Sequence, residues 1–540
     1  MSKVLELVKQ RVEDEGSDGG NGDGGGPDPQ FVQDCLDAVG YGDGVLFAEV
    51  FRGKRLYNHS TQEWYHWTGH SWALDVGEKH TKTSCEDIAV LYLEEKASID
   101  NEISKLEDSP KKKKSLEARS KFIAGRAKRL RSLAGRKECM EMATTNKNPI
   151  DVFGHQMDNR PTLVAVKNGV VDLETGALRD GKPEDFLLRS SPVKYDPNAS
   201  YEFWDNMLFE IYEDDDKIAF LQRLFGAALF GWSREHIITV FFGQGRNGKD
   251  TIFEAISHVL GNLAGVIQPE MLLDQGRVKN SSGPSPDIMA LKGLRLAVGS
   301  ETNEGARLDV GRVKLLTGGG RLVGRWPHDK HATEFDPTHT LFLLTNNKPS
   351  AGNDYAFWKR AYLISHPFSF VSDPKGPDEK LADKHLKDKL RAGSSGILLW
   401  MVEGAISYLE GGLRPPACVL EDTAEYQRNE DMIGDFVEAR CVISRDLEPK
   451  FPGIPKDLVL NFSIEEMKTS FKDIREVFEA WYCEVLGNKV PSPKWIGKQL
   501  KTRFPDKKSG NIYYMGIGIN PSPKKDESKQ PPYTLEEDTL

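Results

Sequence analysis

The stretch "HIITVFFGQGRNGKDTIFEAISHVLG", residues 236–261, restricts the folds open to this chain more than any other. An apolar, β-branched run passes directly into a glycine-rich loop and then into apolar residues at helical spacing. Strand, glycine loop and helix N-terminus together form the arrangement in which backbone N–H groups cradle phosphate. Gly243, Gly248 and Lys249 fit the pattern G-x-x-x-x-G-K-[ST]. Gly243, Gly245, Asn247 and Gly248 would wrap the phosphates of ATP, and Lys249 would bring a point charge to its β and γ groups. The next position should carry the hydroxyl that holds Mg²⁺, yet the chain has Asp250 there and Thr251 one step later. A carboxylate beside a triphosphate repels it unless a cation lies between them, and Mg²⁺ accepts carboxylate oxygens readily. Either Asp250 binds the ion, directly or through water, or Thr251 supplies the hydroxyl after a small local shift; the sequence leaves both open. ATP and Mg²⁺ are the expected cofactors.

Two further apolar runs, "LRLAVGS" and "HTLFLLT", each end in polar residues. That is the grammar of a parallel sheet whose ligand sits at the carboxyl ends of its strands. Glu301, the acidic residue at the first of these ends, is the candidate to act on Mg²⁺ or on the attacking water. Asn346, ending the second, could orient that water. Arg360, in "FWKRAYLI", could neutralise charge in the transition state, a role often filled from a neighbouring subunit.

The segments "GLRLAVGSETNEGARLD", "RVKLLTGGGRLVGR", "FDPTHTLFLLTNNKP" and "YAFWKRAYLISHPF" occur in order with sensible gaps. Together they resemble superfamily 3 DNA helicases of the phage and plasmid primase type, relatives of the poxvirus helicase-primase. Upstream, "VKNGVVDLETGAL" and "VKYDPNASYEFWDNMLFEIYEDDDKIAFLQRLFGAALFG" look like the domain that precedes the ATPase in that family. The resemblance covers roughly residues 60 to 410. It implies an AAA+-like P-loop ATPase that assembles as a ring, usually a hexamer, around DNA and moves 3′→5′. Glu301 falls on the family's Walker B acidic position, Asn346 on its sensor asparagine, and Arg360 on the arginine donated by the adjacent subunit. Between them, "RLVGRWPHDKHATEFDP" stands where the family has a hairpin lining the central channel, so Arg325, Lys330 and His331 become candidate DNA contacts. Lys and His there would grip phosphate without reading sequence. Two positions depart from the family: Asp250, and Gly320, where an acidic residue is common.

The formal net charge of −10 speaks against nucleic acid only on average, because charge is segregated along the chain. Basic runs include "PKKKKSLEARSKFIAGRAKRLRSLAGRK" and "PKWIGKQLKTRFPDKK". The first follows a helical pattern and a break at 108–110, which predicts a helical hairpin; its four consecutive lysines read more readily as a solvated helix start than as a DNA contact. The six cysteines are scattered with no C-x-x-C pair, which argues against a zinc ribbon or a disulfide framework and fits a reducing, cytoplasmic setting, that of a bacterial host if phage-encoded. No uninterrupted apolar run approaches a membrane span.

At 540 residues the chain should hold several domains. The expected division is an acidic, Gly-rich disordered tail over 1–44, an α+β domain with the helical hairpin over 45–215, the α/β ATPase over 216–432, a winged-helix-like domain over 433–522, and a tail over 523–540. In the last domain, helix, helix and strand–turn–strand would direct Lys494, Lys498, Lys501 and Arg503 toward DNA. The expected activity is a replicative helicase working on single-stranded and forked DNA as a homo-oligomer, without a fused primase and served by a separate primase or polymerase. Two other classes stay open: an ATP-dependent initiator that binds an origin and unwinds little, and a nucleotide-binding scaffold that does not hydrolyse.

Overall fold

The computed structural model describes residues 27–106, 109–275, 283–300, 307–327, 329, 331–352, 354–451, 454–485, 490–509 and 511–520. They belong to two compact units, one comprising the chain up to Pro349 with Arg360–Val419, the other Ser350–Lys359 with the chain from Leu420 onward.

The first unit is organised on a five-stranded, all-parallel sheet: β1 (Ile238–Phe242), β2 (Ala264–Ile267), β3 (Leu296–Ser300), β4 (Thr340–Thr345) and β5 (Ala361–Ser365). Its order is β5-β1-β4-β3-β2. The register sets Ile238 level with Leu341 and Ala361, so the strands run side by side from one edge. The central strands read as continuous apolar runs because both faces are covered. Aromatic side chains fill the layer between sheet and helices: Phe225, Phe241, Phe253 and Phe342 meet ring to ring, and Trp204 packs edge-on against Trp400. The helices that supply them are Glu202–Tyr212, Asp215–Ala227, Lys249–Leu260 and Ser394–Gly411.

Ahead of the sheet stand an antiparallel trio of strands (Arg55–Asn58, Glu63–Trp67, Trp72–Leu74), the helical hairpin Lys79–Ser104 with Pro110–Leu130, and the helix Leu133–Thr145. Residues 29–44, expected as disordered tail, are helical: Pro29–Asp37 is followed at once by Val39–Phe51. Asp28 caps the first helix by accepting from the Gln30 amide at 3.0 Å, and Phe31, Val32, Cys35 and Leu36 form its buried stripe. The glycines at 40, 42 and 44 serve close packing. A Cβ on Gly44 would lie 2.3 Å from the Met142 Cβ. The expected tails at 1–26 and 523–540 lie outside the described residues.

The second unit has its own core of Phe436, Ile443, Ile474, Phe478, Trp481, Ile496, Leu500 and Tyr514. Helix Phe471–Val485, helix Pro493–Arg503 and the antiparallel pair Asp506–Ser509 with Asn511–Met515 follow one another in the chain. Among the described residues no helix is long and apolar enough to cross a membrane.

Candidate functional site

The topology of the sheet defines one crevice. After β1 the chain crosses to the far edge at β2, whereas after β4 it crosses to the opposite edge at β5, although β1 and β4 are neighbours. Adjacent strands whose connections leave in opposite directions open a cleft at their carboxyl ends, the usual ligand position in such sheets. The loop after β1 is the glycine loop, and the residue after β4 is Asn346.

Gly248 adopts φ 85° at the N-cap of the Lys249–Leu260 helix, a left-handed conformation that suits glycine. The helix therefore starts directly at the loop, its first turn next to the carboxyl end of β1. Lys249 is buried, and its ammonium does not reach outward. Its Nζ donates to the Gly243 carbonyl at 3.2 Å and to the Asn346 Oδ1 at 2.5 Å. Asp250 is the exposed neighbour, its carboxylate 3.9 Å from that ammonium, and Thr251 is half-buried on the next position. Asn247 is buried, its Oδ1 accepting from the Lys249 amide at 3.4 Å while its Nδ2 has no partner. Gly245 is exposed, with nothing within 4 Å of where a Cβ would stand.

Two residues that the sequence reading passed over complete the floor. His366 directly follows β5; its amide donates to the Phe242 carbonyl at 2.9 Å, and its Nε2 lies 2.8 Å from the Tyr212 hydroxyl. A Cβ on Gly243 would stand 3.0 Å from the His366 Cβ and 2.1 Å from the Asn247 Nδ2, so the loop rests on both. Burial drives the His366 pKa down to about 3 and keeps the ring neutral, with the Lys249 charge adding to the effect. Its position at the carboxyl end of a parallel strand was the available signal. The apolar surroundings of "LISHPFSF" hid it.

Arg360 does not join this cluster within the chain. It precedes β5, and its carbonyl accepts from the Ile238 amide at the amino end of β1. That is the end of the sheet away from the loop, about 16 Å along the strand at 3.3 Å per residue. Glu301 and Lys330 lie outside the described residues. Leu322–Gly324 pairs antiparallel with Thr333–Phe335, and exposed His331 belongs to the loop joining them. Arg325, at the start of that loop, donates from Nη1 to the Asp329 carbonyl at 2.9 Å.

In the second unit Lys494 and Lys498 are exposed on the Pro493–Arg503 helix, and Lys501 pairs with Asp506 at 2.8 Å. Arg503, expected to face DNA, is turned inward. Its Nη2 donates to Asp431 at 2.5 Å, and its guanidinium lies 5.0 Å over the Phe451 ring. Asp431 caps the Met432–Arg440 helix, so the arginine locks one helix end against another.

A second cluster lies in the first unit, where one ligand atom each from His66, Asp75 and His80 fall within 4.8 Å of one another. Asp75 is already engaged as a helix cap: it accepts from the His80 amide at 3.0 Å and from the Thr81 amide and hydroxyl at 2.8 and 2.7 Å. The imidazoles stack with centroids 4.1 Å apart, and the Arg55 charge acts on both His66 and Asp75. A saturated carboxylate with a nearby guanidinium is a poor metal ligand set.

Residues 44–213 match a family model described as "D5 N terminal like". Curated viral relatives share about a quarter of their aligned residues with the chain. "Putative helicase L207/L206" of Acanthamoeba polyphaga mimivirus is 25% identical over 384 residues, which is 68% of this chain and 37% of the relative. "Putative helicase 121R" of Invertebrate iridescent virus 3 is 24% identical over 364 residues, 63% of this chain and 37% of the relative. "Putative primase C962R" of African swine fever virus (strain Badajoz 1971 Vero-adapted) is 24% identical over 313 residues, 55% and 32%. The chain thus spans about a third of the length of the curated relatives it matches. Among solved structures, the apo C-terminal region of NrS-1 aligns over 88% of this chain and 99% of its own, at 11% identity and a TM-score of 0.45, a likeness too slight to carry an assignment. The chain is therefore a mixed α/β protein with a parallel sheet, similar to viral proteins named as helicases and primases.

Proposed function

We propose that the chain is an ATP-driven DNA helicase, an AAA+-like P-loop motor of superfamily 3 type. The observation that carries this reading is Lys249. A buried ammonium at a helix N-terminus is held by a loop carbonyl and by Asn346, at the one cleft the strand order creates. The donors present suit a phosphate chain: the first N–H groups of a 12-residue helix, the Lys249 ammonium and the unpartnered Asn247 Nδ2. Asp250 or Thr251, with Glu301, would hold Mg²⁺, which when bound would neutralise charge on the β and γ oxygens. The pairing of Lys249 with Asn346 suggests a role for each: with ATP in place Lys249 would exchange the Asn346 Oδ1 for a γ-phosphate oxygen, and the released Oδ1 would be available to accept a hydrogen bond from the attacking water. Tyr212 and His366 keep the loop floor in place during that exchange and exclude water from beneath it.

Arg360, remote from its own loop, serves the site of a neighbouring copy, so the working form is a ring, hexameric by resemblance and moving 3′→5′ on single-stranded DNA. Arg325, Lys330 and His331 grip that strand from the hairpin, and Lys494 and Lys498 of the second unit, a winged-helix-like module, add a contact to duplex.

The test is Mg²⁺-dependent ATPase with and without single-stranded DNA, for wild type, Lys249→Ala, Asp250→Ala and Asp250→Ser. DNA-stimulated turnover, lost in Lys249→Ala and Asp250→Ala and kept in Asp250→Ser, is the expected result. A wild type that binds ATP without turnover, with activity gained in Asp250→Ser, would overturn the motor reading in favour of a nucleotide-binding scaffold.

A further inference from the structure

The helix Pro110–Leu130 packs against Lys79–Ser104, and its buried face carries Ser120, Ile123, Arg126, Ala127 and Leu130. Opposite that buried face, Lys114, Lys121 and Lys128 recur every seven residues, two turns apart, and all three are exposed. Lys111 extends the row toward the helix start. Several other cations on the helix are committed: Lys112 to Glu102 at 2.8 Å, Arg119 to Asp37, and Arg129 to Glu138. None of Lys111, Lys114, Lys121 and Lys128 makes an ion pair among the described residues. In a chain with an excess of ten acidic groups, four unpaired lysines in one row are a local reversal of the global charge.

The residues between the lysines add a shape argument. Ala118 and Gly125 lie along one side of the row, where a Cβ on Gly125 would meet nothing within 4 Å, and exposed Glu117 and half-buried Ala124 lie along the other. From Lys114 to Lys128 the row is about 21 Å long at 1.5 Å per residue. The exposed aromatic of this helix, Phe122, lies about 100° around the helix axis from Lys121, and the Arg119 guanidinium sits 5.6 Å over its ring, so the lysine line itself has no row of free rings of the kind that single-strand binding uses. It also lacks the apolar edge that lets a basic helix settle into a lipid interface. A file of lysine charges outnumbering the one carboxylate beside it, Glu117, matches an outer sugar-phosphate strand of a duplex, gripped without sequence preference.

We propose that Lys111, Lys114, Lys121 and Lys128 form a docking surface for the phosphate backbone of double-stranded DNA. This assigns the helical hairpin a task distinct from the nucleotide site: holding the duplex on the outside while another part of the protein acts. None of these lysines belongs to the nucleotide loop, so DNA affinity measured without nucleotide tests the stripe whether or not the chain is a motor.

The experiment is fluorescence anisotropy of the full chain with a 30-base-pair duplex and with a single strand of the same length, across a salt series. The proteins are wild type, Lys114→Gln/Lys121→Gln/Lys128→Gln, and the matching triple Lys→Arg. Gln and Lys have similar helix propensity, so the helix persists; circular dichroism checks that it does. The expected result is a duplex affinity lower by about two orders of magnitude at 0.1 M salt in the Gln triple, with a log–log salt slope shallower by about 2.7 for three lost phosphate contacts. The Arg triple should bind as wild type. Unchanged duplex affinity in the Gln triple, or an equal loss for duplex and single strand, would overturn the proposal.

Discussion

At the scale of single residues, the glycine loop separates positions that look alike in the sequence. Gly243 and Gly245 both fit a flexible phosphate loop, but only Gly243 is hemmed in, by Asn247 and His366. Gly243→Ala should therefore weaken nucleotide binding about tenfold or more, while Gly245→Ala leaves it nearly unchanged; titration with a fluorescent ATP analogue reads both. Lys249 and its loop were legible because spacing alone restricts them. Asn346 was legible as a strand-end polar residue, yet its contact with Lys249 was not. The support given by His366 and Tyr212 was invisible, since 154 positions separate them and neither matches a motif. His366 also makes a pH prediction. Its folded pKa of about 3 lies well below the ordinary imidazole value, and burial lowers His339 to about 4 in the same way. The unfolded chain takes up protons on these groups below about pH 6.5 that the folded chain refuses. Their contribution to stability is complete above that pH and is lost as pH falls through the folded values. Thermal melts should shift downward between pH 7 and pH 4, and the shift between pH 6.5 and 5 should shrink in His366→Gln/His339→Gln. A melting temperature equally steep in pH for that variant would mean other groups are responsible.

Secondary-structure elements were legible wherever a periodic apolar pattern met clear punctuation. Strands β1, β3 and β4, the helical hairpin and the order of elements in the second unit all announce themselves this way, whereas β2 and β5 were not read as strands. The first two helices did not, because they were grouped with the Gly-rich acidic tail that precedes them, and the glycines at 40, 42 and 44 are close-packing contacts. Burial patterns cannot distinguish these uses without knowing what stands opposite. Arg503 is the same lesson with charge. In the sequence it ends a basic helix, while in the fold it ties that helix to the Asp431 cap. Arg503→Met should destabilise the protein by about 1–3 kcal/mol in urea melts and leave DNA affinity close to wild type. A mutant of wild-type stability that loses DNA affinity would restore the outward role. Lys498→Ala should do the reverse, with stability within about 0.5 kcal/mol of wild type and a shallower salt dependence of DNA binding.

For the whole molecule, the separation of Arg360 from the loop of its own chain makes shared sites testable. Mixtures of Arg360→Ala and Lys249→Ala chains should regain part of the ATPase that each variant lacks alone, since some interfaces then pair an intact loop with an intact arginine. No recovery at any mixing ratio, with rings seen by light scattering, would count against an arginine acting between copies. The five residues of β5 join these two observations. One end of the strand follows Arg360, and the other runs straight into His366, on which the loop rests. The strand is hydrogen-bonded to β1 along its length, with no bend or glycine in which a displacement could be absorbed. It is a connecting rod. In the ring proposed above, a push delivered to one end by a neighbouring copy would be passed along the strand to the floor of the glycine loop, which would couple one site to the next.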